Sequence, residues 1–203
     1  MKRLFIAMLM CLPVAVVAQD NTWERVETKD ASASNPDQKY LVGAVPEIDG
    51  KVEFRVTLDA PGKSASQVYD IILNYMQKMV KEPNQIEQSR IVLEDKDKHQ
   101  VAGSFQEWLV FKSTALVLDR TRLLYNLSAD CQDGKADVKM TRIVYIYDEE
   151  RDPQRYLAEE WITDKYGLNK KKTKLSRVAG KFRRKTIDRK DYLFEKLGQL
   201  LKN

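Results

Sequence analysis

The chain has 203 residues, of which 43% are hydrophobic and 32% are charged, and its formal net charge is +5. This composition predicts a globular domain with a hydrophobic core and excludes a disordered or fibrous chain. One histidine and two cysteines are too few for a disulfide-rich scaffold or a closed zinc site.

The first eighteen residues are typical of a secretory signal peptide. Lys2 and Arg3 form a basic start, residues 4–17 form an apolar run interrupted by Pro13, and small residues lead up to Ala18. We predict cleavage after Ala18 and a secreted or periplasmic product. The apolar run is shorter than the roughly 20 residues that a membrane-spanning helix needs, so it is not expected to anchor the protein.

The two cysteines bear on the same prediction. Cys11 lies inside the predicted signal peptide, and attachment of a lipid there is the less favoured alternative, because Leu9 and Met10 are not the small residues that such a site needs. Cleavage after Ala18 leaves Cys131 as the one cysteine, so the processed chain cannot form an internal disulfide. Its fold must therefore rest on the hydrophobic core.

Residues 19–44 are polar and are predicted to form a flexible leader, followed by one α+β domain over residues 45–203. The pair Asp49-Gly50 predicts a turn. Apolar and polar residues then alternate over residues 52–58, which predicts a half-buried strand.

The next element is predicted to be a helix that begins at Ser64 and ends near residue 81. Ser64 and Gln67 have the spacing of a capping box, and Pro83 stops the helix. The apolar stripe of this helix consists of Val68, Ile72, Tyr75, Met76 and Met79.

Four more strands are predicted before the next helix, with a charged turn at residues 95–99 and a turn at Asp133-Gly134. Gly103 is interpreted as a β-bulge. In the last of these strands the alternate residues Lys139, Thr141, Ile143, Tyr145 and Tyr147 are expected on one face. The four strands cover residues 90–94, 101–111, 121–129 and 138–147.

Two helices complete the predicted domain. The first has Asp152-Pro153 at its start and Gly167 at its end, and the second covers about residues 186–201, after a basic segment at 168–185. The order β-α-β-β-β-β-α predicts an α+β fold, with a curved antiparallel sheet of about five strands and its helices on one face.

Four stretches of the chain resemble a known family, and together they cover about residues 45–201. The chain is similar to domain of unknown function 4468, from secreted or envelope proteins of Bacteroidetes. The resemblance implies a TATA-binding-protein-like fold, but no catalytic residue and no DNA binding, because function belongs to sites and not to folds. The stretches are Val45-Pro46-x-x-Asp49-Gly50-Lys51-Val52-x-Phe54, Ala60-Pro61-Gly62-Lys63-Ser64, Trp161-Ile162-Thr163-Asp164-Lys165-Tyr166-Gly167-Leu168-Asn169-Lys170-Lys171-Lys172 and Lys181-Phe182-Arg183-Arg184-Lys185-Thr186-Ile187-Asp188.

No motif predicts catalysis, a metal or a cofactor. A metal at Asp95, Asp97 and His99 is less expected than a solvated turn, because no second histidine or cysteine completes a site. Cys131 has no nearby base and is interpreted as a bystander thiol. The acid pairs Glu149-Glu150 and Glu159-Glu160 leave a hydrolase as the third alternative.

The uneven distribution of charge along the chain predicts a candidate binding site in the C-terminal basic segment. Residues 164–191 hold 12 basic and 3 acidic residues, whereas residues 19–163 hold 19 basic and 26 acidic ones. The candidate polyanion-binding or partner-binding residues are Lys170, Lys171, Lys172, Lys174, Arg177, Lys181, Arg183, Arg184 and Lys185.

Two interpretations of this basic segment stay open. It could bind lipopolysaccharide phosphates, acidic glycans or an acidic partner protein, whereas nucleic acid is not an expected ligand outside the cell. It could instead be a solvated loop that neutralises the acidic body. We predict a non-catalytic binding domain, with a structural or assembly component of the cell envelope as the alternative. Trp23, Trp108 and Trp161 could stack on sugars, although Trp108 and Trp161 are expected in the core.

Overall fold

The structure is a computed structural model of the chain, and it describes residues 36–203. The predicted signal peptide, its cleavage after Ala18 and residues 19–35 of the predicted leader lie outside the described residues.

The described chain contains eight strands and three α-helices. The strands are Glu47–Ile48 (β1), Lys51–Val52 (β2), Phe54–Asp59 (β3), Arg90–Asp95 (β4), Gln100–Thr114 (β5), Val117–Gln132 (β6), Lys135–Tyr147 (β7) and Gln154–Leu157 (β8). The helices are Ala65–Met79 (α1), Ala158–Trp161 (α2) and Ala179–Lys202 (α3), and a short 3-10 helix covers Gln38–Tyr40.

β3 to β8 form one antiparallel sheet of six strands in the order β3-β7-β6-β5-β4, with β8 also paired to β7. β4 to β7 follow one another as hairpins, so the predicted meander is confirmed. β1 and β2 form a separate hairpin, whose turn has positive φ at Asp49 (50°) and Gly50 (71°), as the Asp-Gly pair predicts.

The core lies between one face of the sheet and the two long helices. In β6 the alternate residues Thr121, Leu123, Tyr125, Leu127 and Ala129 are all buried, as their alternation predicts. α1 and α3 contact the sheet and each other. The structure is therefore an α+β fold with a mostly antiparallel sheet, which confirms the predicted fold class.

The predicted start of α1 is confirmed in detail. The Ser64 hydroxyl accepts a hydrogen bond from the Gln67 backbone N–H, and the Gln67 side chain accepts one from the Ser64 N–H. Because both bonds satisfy first-turn amides, they fix where the helix begins. The five residues of the predicted stripe, Val68, Ile72, Tyr75, Met76 and Met79, are all buried.

A β-bulge changes which residues of β7 face the core. The prediction that alternate residues of 139–147 share one face is wrong for the first half of the strand, where Met140 is buried. Arg142 has a φ of 53°, and the pairing register with β6 shifts there. Since the extra residue reverses the alternation, Ile143 and Tyr145 are buried after it.

The bulge expected at Gly103 is found on the neighbouring strand instead. The register of β4 and β5 shifts between Ile91 and Leu93, so Val92 is the extra residue. Gly103 has a packing role, because a Cβ there would lie 2.5 Å from Cε2 of the Phe105 ring.

The helix predicted from Asp152 to Gly167 is mostly not formed. Residues 154–157 are β8, which pairs with the part of β7 that lies beyond the end of β3, and α2 is a single turn. The open edge of β7 therefore outweighs the local signal for a helix N-terminus at Asp152-Pro153.

α3 begins seven residues before the predicted position, at Ala179 instead of Thr186. Its first turns carry the buried residues Phe182 and Arg183. Residues 181–185, which the sequence predicted to be a loop, are thus helical, because their inward side chains pack against the sheet.

The predicted leader is also shorter than expected at its C-terminal side. Tyr40 is buried, and its hydroxyl donates a hydrogen bond to Asp188 Oδ1 at 2.8 Å. The ordered domain therefore includes residues 37–44, which the sequence assigned to the flexible leader.

Candidate functional site

A short basic loop joins α2 to α3 and is held by its own backbone. Leu168 and Leu175 form an isolated β-bridge, and the Asn169 N–H donates to the Lys174 carbonyl at 2.9 Å. Asn169 Oδ1 accepts hydrogen bonds from the N–H groups of Thr173 (2.9 Å) and Lys174 (3.3 Å). Because these bonds close the turn, the loop presents its side chains on a defined scaffold.

Five of the nine candidate cations lie on this loop, and all five are exposed. Within residues 36–203, none of these five side chains forms an ion pair with a carboxylate. We call this set the basic loop: Lys170, Lys171, Lys172, Lys174 and Arg177.

Lys181, the sixth candidate, belongs to the packing at the start of α3. Its ammonium donates to Asp119 Oδ2 at 2.7 Å and to the Tyr147 hydroxyl at 3.0 Å, and lies 4.5 Å from the centre of the Phe111 ring. Burial lowers the pKa of Lys181, but the bonds to Asp119 and Tyr147 outweigh it and leave that pKa raised. This cation is thus already neutralised.

Arg183 is fully buried and cannot contact a ligand outside the domain. Its guanidinium donates to the carbonyl oxygens of Tyr40 (2.6 Å), Leu41 (2.6 Å) and Ile162 (2.7 Å), and to Asp164 Oδ1 (2.7 Å). Burial lowers the pKa of Arg183, and the Asp164 carboxylate opposes that effect. The side chain joins the N-terminal segment to α3.

The last two candidates follow Arg183 on the helix. Arg184 is exposed and donates to Asp37 Oδ1 at 2.6 Å, and its guanidinium lies 5.2 Å from the Tyr40 ring centre. Lys185 is half-buried. The nine predicted cations therefore do not form one surface. The structure separates an exposed basic loop from a helical group that packs against the domain.

The acidic pairs considered for a hydrolase have other contacts. Glu149 pairs with Arg122. Glu150 accepts from Arg120 at 3.2 Å. Glu159 Oε1 accepts the Val52 N–H at 3.0 Å. These contacts give each of the three a structural role.

The expected metal and thiol residues also have local roles. Asp95 Oδ1 accepts the Lys98 N–H at 2.9 Å, and this bond contributes to a lowered pKa of the Asp95 carboxyl. Within residues 36–203, no group of three or more His, Cys, Asp or Glu side chains is arranged to hold a metal ion. Cys131 is buried, and burial, with a smaller contribution from Asp130, raises its pKa to about 12. The thiol is therefore protonated at neutral pH.

Sequence reasoning missed a buried ion pair that fixes α3 on the sheet. Glu107 and Arg189 are both fully buried and make two hydrogen bonds of 2.7 Å. Asn84 and Gln85 also donate to the Glu107 carboxylate, at 3.0 and 2.8 Å. Burial lowers the pKa of Arg189, but Glu107 outweighs it and leaves that pKa raised. The sequence contains a signal for this ion pair, because Glu107 occupies an inward-facing position in the alternating pattern of β5.

The tryptophans differ from their expected places. Trp108 lies on the face of the sheet opposite the helices, and the Arg120 guanidinium lies 3.8 Å from its ring centre. Trp161 is half-buried and stacks on Tyr156 with ring centres 3.8 Å apart. Trp23 lies outside the described residues.

The hairpin of β5 and β6 ends in an exposed apolar turn that the sequence analysis also missed. Leu116 is 95% exposed, Leu118 53% and Val117 45%. A cavity of about 410 Å³ lies between this end of the hairpin and the turn that follows β7, with Trp108 and Tyr147 in its wall. No helix of residues 36–203 is both long and apolar enough to cross a membrane.

Comparison with known proteins identifies the family. The model of a domain of unknown function (DUF4468) with TBP-like fold matches residues 54–146. A crystal structure of a DUF4468 family protein from Bacteroides ovatus ATCC 8483 is 46% identical, with a TM-score of 0.76, and the match covers 82% of this chain and 95% of that one.

A TBP-like protein from Parabacteroides distasonis ATCC 8503 shares the fold at 18% identity, with a TM-score of 0.61 and coverage of 77% of this chain and 96% of that one. No curated protein matches the chain. The sequence identity and coverage of the Bacteroides ovatus structure, together with the family model, show that this chain belongs to the DUF4468 family.

Proposed function

We propose that this protein is a non-catalytic binding domain that recognises polyanions through the basic loop. One observation carries the proposal: five exposed cations lie within eight residues, and none has a carboxylate partner among residues 36–203. Like charges at this density repel one another, so an anion that bridges them is stabilised by several cations at once.

The four remaining cations of the candidate set are no part of the proposed site. Lys181 and Arg184 already pair with Asp119 and Asp37, and Arg183 is buried. The alternative, in which the whole segment neutralises the acidic body, fits Lys181 and Arg184, whose partners lie outside the segment. The exposure of the basic loop supports the binding proposal for that loop instead.

The residues that resemble a signal peptide support a place outside the cytoplasm for this binding. In that compartment the available polyanions are lipopolysaccharide phosphates, acidic glycans and acidic proteins. A structural or assembly component of the envelope, the alternative function, would use the same loop with an acidic protein as its ligand.

The test compares two variants that lose the same charge. In the loop variant, Lys170, Lys171, Lys172 and Lys174 are replaced by glutamine. The control variant carries glutamine at four exposed lysines elsewhere that have no carboxylate partner in the described chain: Lys78, Lys81, Lys196 and Lys202.

Binding to dextran sulfate and to lipopolysaccharide is measured by titration at about 50 and about 200 mM salt, together with the melting temperature of each protein. We expect the wild-type affinity to fall steeply with salt, because bound cations release counterions. The loop variant should lose at least about tenfold in affinity, with an unchanged melting temperature, because exposed charges contribute little to stability.

The control variant separates local binding from net charge. It should keep the affinity of the wild type within about twofold, because the charges that it loses lie at the end of α1 and on α3, outside the basic loop. Equal affinity of the loop variant and the wild type would disprove the site. Equal losses in the loop and control variants would show attraction by net charge alone.

A further inference from the structure

The turn of the β5–β6 hairpin is a second exposed feature of the described residues 36–203. We call residues 115–118 the hairpin tip. Leu116, Val117 and Leu118 are among the most exposed large apolar residues of the described chain, and they are consecutive. Scattered apolar residues on a surface are normal, but a contiguous apolar projection indicates a contact with another phase or partner.

The hairpin tip stands away from the rest of the sheet. The pairing of β6 with β7 ends at Thr121 and Tyr147, whereas the pairing of β5 with β6 continues to Thr114 and Val117. At about 3.3 Å per residue, the four residues from Thr121 to Val117 extend roughly 13 Å beyond β7. Residues 112–118 of the hairpin are exposed, whereas Asp119 and Arg120 still contact Lys181 and Glu150.

The charges around the tip do not oppose an apolar environment or an anionic surface. Between Phe111 and Leu118 the one charged residue is Lys112, a cation. The carboxylate that follows, Asp119, is paired with Lys181. Glu149 and Glu150, in the turn after β7, are paired with arginines of β6.

The hairpin and the basic loop meet at the same part of the molecule, the first turn of α3. Phe111 of the hairpin packs on Phe182, with ring centres 4.7 Å apart, and Asp119 pairs with Lys181. From the other direction, the basic loop packs Leu175 so closely on Gly180 that a Cβ there would lie 2.8 Å from it. The hairpin and the basic loop are therefore both attached to the domain at the first turn of α3.

A ligand that satisfies both features has negative charge next to an apolar layer. A dissolved polyanion has no apolar surface to bury Leu116, and a neutral apolar surface has no charge to pair with the basic loop. We infer that the domain docks on the surface of an anionic lipid bilayer, with the basic loop at the phosphate groups and the hairpin tip in the outer part of the acyl layer. This inference rests on the proposed function and names the polyanion as a lipid.

The experiment uses the predicted processed chain from Gln19, which contains every described residue and lacks the apolar signal segment. In the tip variant, Leu116, Val117 and Leu118 are replaced by serine. The matched control replaces three exposed apolar residues elsewhere, Ile48, Val92 and Leu93, by serine. Each protein is sedimented with vesicles of phosphatidylglycerol and phosphatidylcholine, and with vesicles of phosphatidylcholine alone, and is titrated with dextran sulfate.

We expect the wild type and the control to bind the anionic vesicles but not the neutral ones. The tip variant should lose at least about tenfold in vesicle affinity, because it has no large apolar side chains to transfer from water into the bilayer. Its affinity for dextran sulfate should be unchanged. In a second measurement, the tryptophan emission of Leu116→Trp should shift to shorter wavelength when anionic vesicles are added. The emission of Val92→Trp should not shift.

The outcomes separate the two proposals. Binding of dextran sulfate without binding of anionic vesicles, or equal vesicle affinity of the tip variant and the wild type, would overturn the lipid inference and leave the proposed function standing. Equal binding to neutral vesicles would show that charge has no part in docking, and would also overturn it. If the wild type binds neither dextran sulfate nor anionic vesicles, both proposals fail.

Discussion

Replacing Arg183 with methionine tests whether its guanidinium holds the N-terminal segment on the domain. The side chain is fully buried and donates to three carbonyl oxygens, those of Tyr40, Leu41 and Ile162, and to the carboxylate of Asp164. Methionine has a similar length but no donor. The substitution would therefore remove the donor from all four acceptors, of which the Tyr40 and Ile162 carbonyl oxygens make buried bonds.

The expected cost follows from those contacts. Two of the four bonds, those to the Tyr40 and Ile162 carbonyl oxygens, are buried, and each acceptor left without a donor costs about 1–3 kcal/mol, so we expect a loss of about 3–5 kcal/mol in all. For a domain of this size such a loss lowers the melting temperature by about 6–20 °C. This expectation differs from the sequence-based interpretation, in which Arg183 is one of the candidate binding residues.

Arg184→Met is the matched control, since the same chemical change occurs one residue later at an exposed position, where the guanidinium pairs with Asp37 and lies over the Tyr40 ring. An exposed pair of this kind contributes about 0–1 kcal/mol. Urea unfolding followed by circular dichroism gives both free energies. If Arg183→Met costs no more than Arg184→Met, the contacts of Arg183 do not hold the segment and the reasoning is wrong.

Three further predictions concern stability. Ser64→Ala should cost about 0.5–2 kcal/mol in urea unfolding through loss of the helix cap, and an unchanged midpoint would contradict that role. Gly103→Ala should cost about 1–3 kcal/mol, because the new methyl group would overlap the Phe105 ring. Gly198→Ala should gain about 0.5–1 kcal/mol, because the new methyl group lies within a helix and would make an ordinary contact of 3.5 Å with Leu58. A cost at Gly198 equal to that at Gly103 would refute the steric argument. Because burial raises the pKa of Cys131 from 9.0 to about 12, the folded state favours the protonated thiol, so stability should fall as pH rises from about 9 to about 12. Cys131→Ala should weaken that fall, and an identical pH profile would refute it.

Short-range patterns carried the part of the fold that could be predicted. The turn at Asp49-Gly50, the capping box at Ser64 and the alternation of residues 121–129 each depend on neighbours within a few positions. Such signals are local in the physical sense, since the groups that satisfy one another are close in sequence. The fold class followed from their order.

The errors arose where distant residues decide the outcome. Residues 154–157 form a strand because β3 begins at Phe54, opposite Met140, and leaves the edge of β7 beyond that residue open. α3 begins at Ala179 because its first turns are buried against the sheet, although their charged residues read as a solvated loop. A local sequence pattern depends on residues that are close in sequence, so it predicts neither the open edge of β7 nor the burial of the first turns of α3.

The candidate site was predicted in composition but not in geometry. The density of cations correctly marked the segment as unusual, but it could not separate Lys170, which is exposed, from Arg183, which is buried. The acceptors of Arg183 include backbone carbonyls, and carbonyls carry no sequence signature. Only the three-dimensional arrangement shows which cations are buried or already paired with a carboxylate.

The contact of Arg183 with residues 40 and 41 has a consequence for the order in which the domain folds. The bonded groups are 143 and 142 positions apart in sequence, so the chain must be made almost to its C-terminal end before they can meet. Contacts of such high sequence separation slow folding, because the intervening chain must first be ordered. Until α3 packs, the part of the sheet that α1 leaves open is uncovered, and residues 37–44 lack their contacts with Arg183 and Asp188. We therefore expect the N-terminal segment and α3 to become ordered together, late in folding.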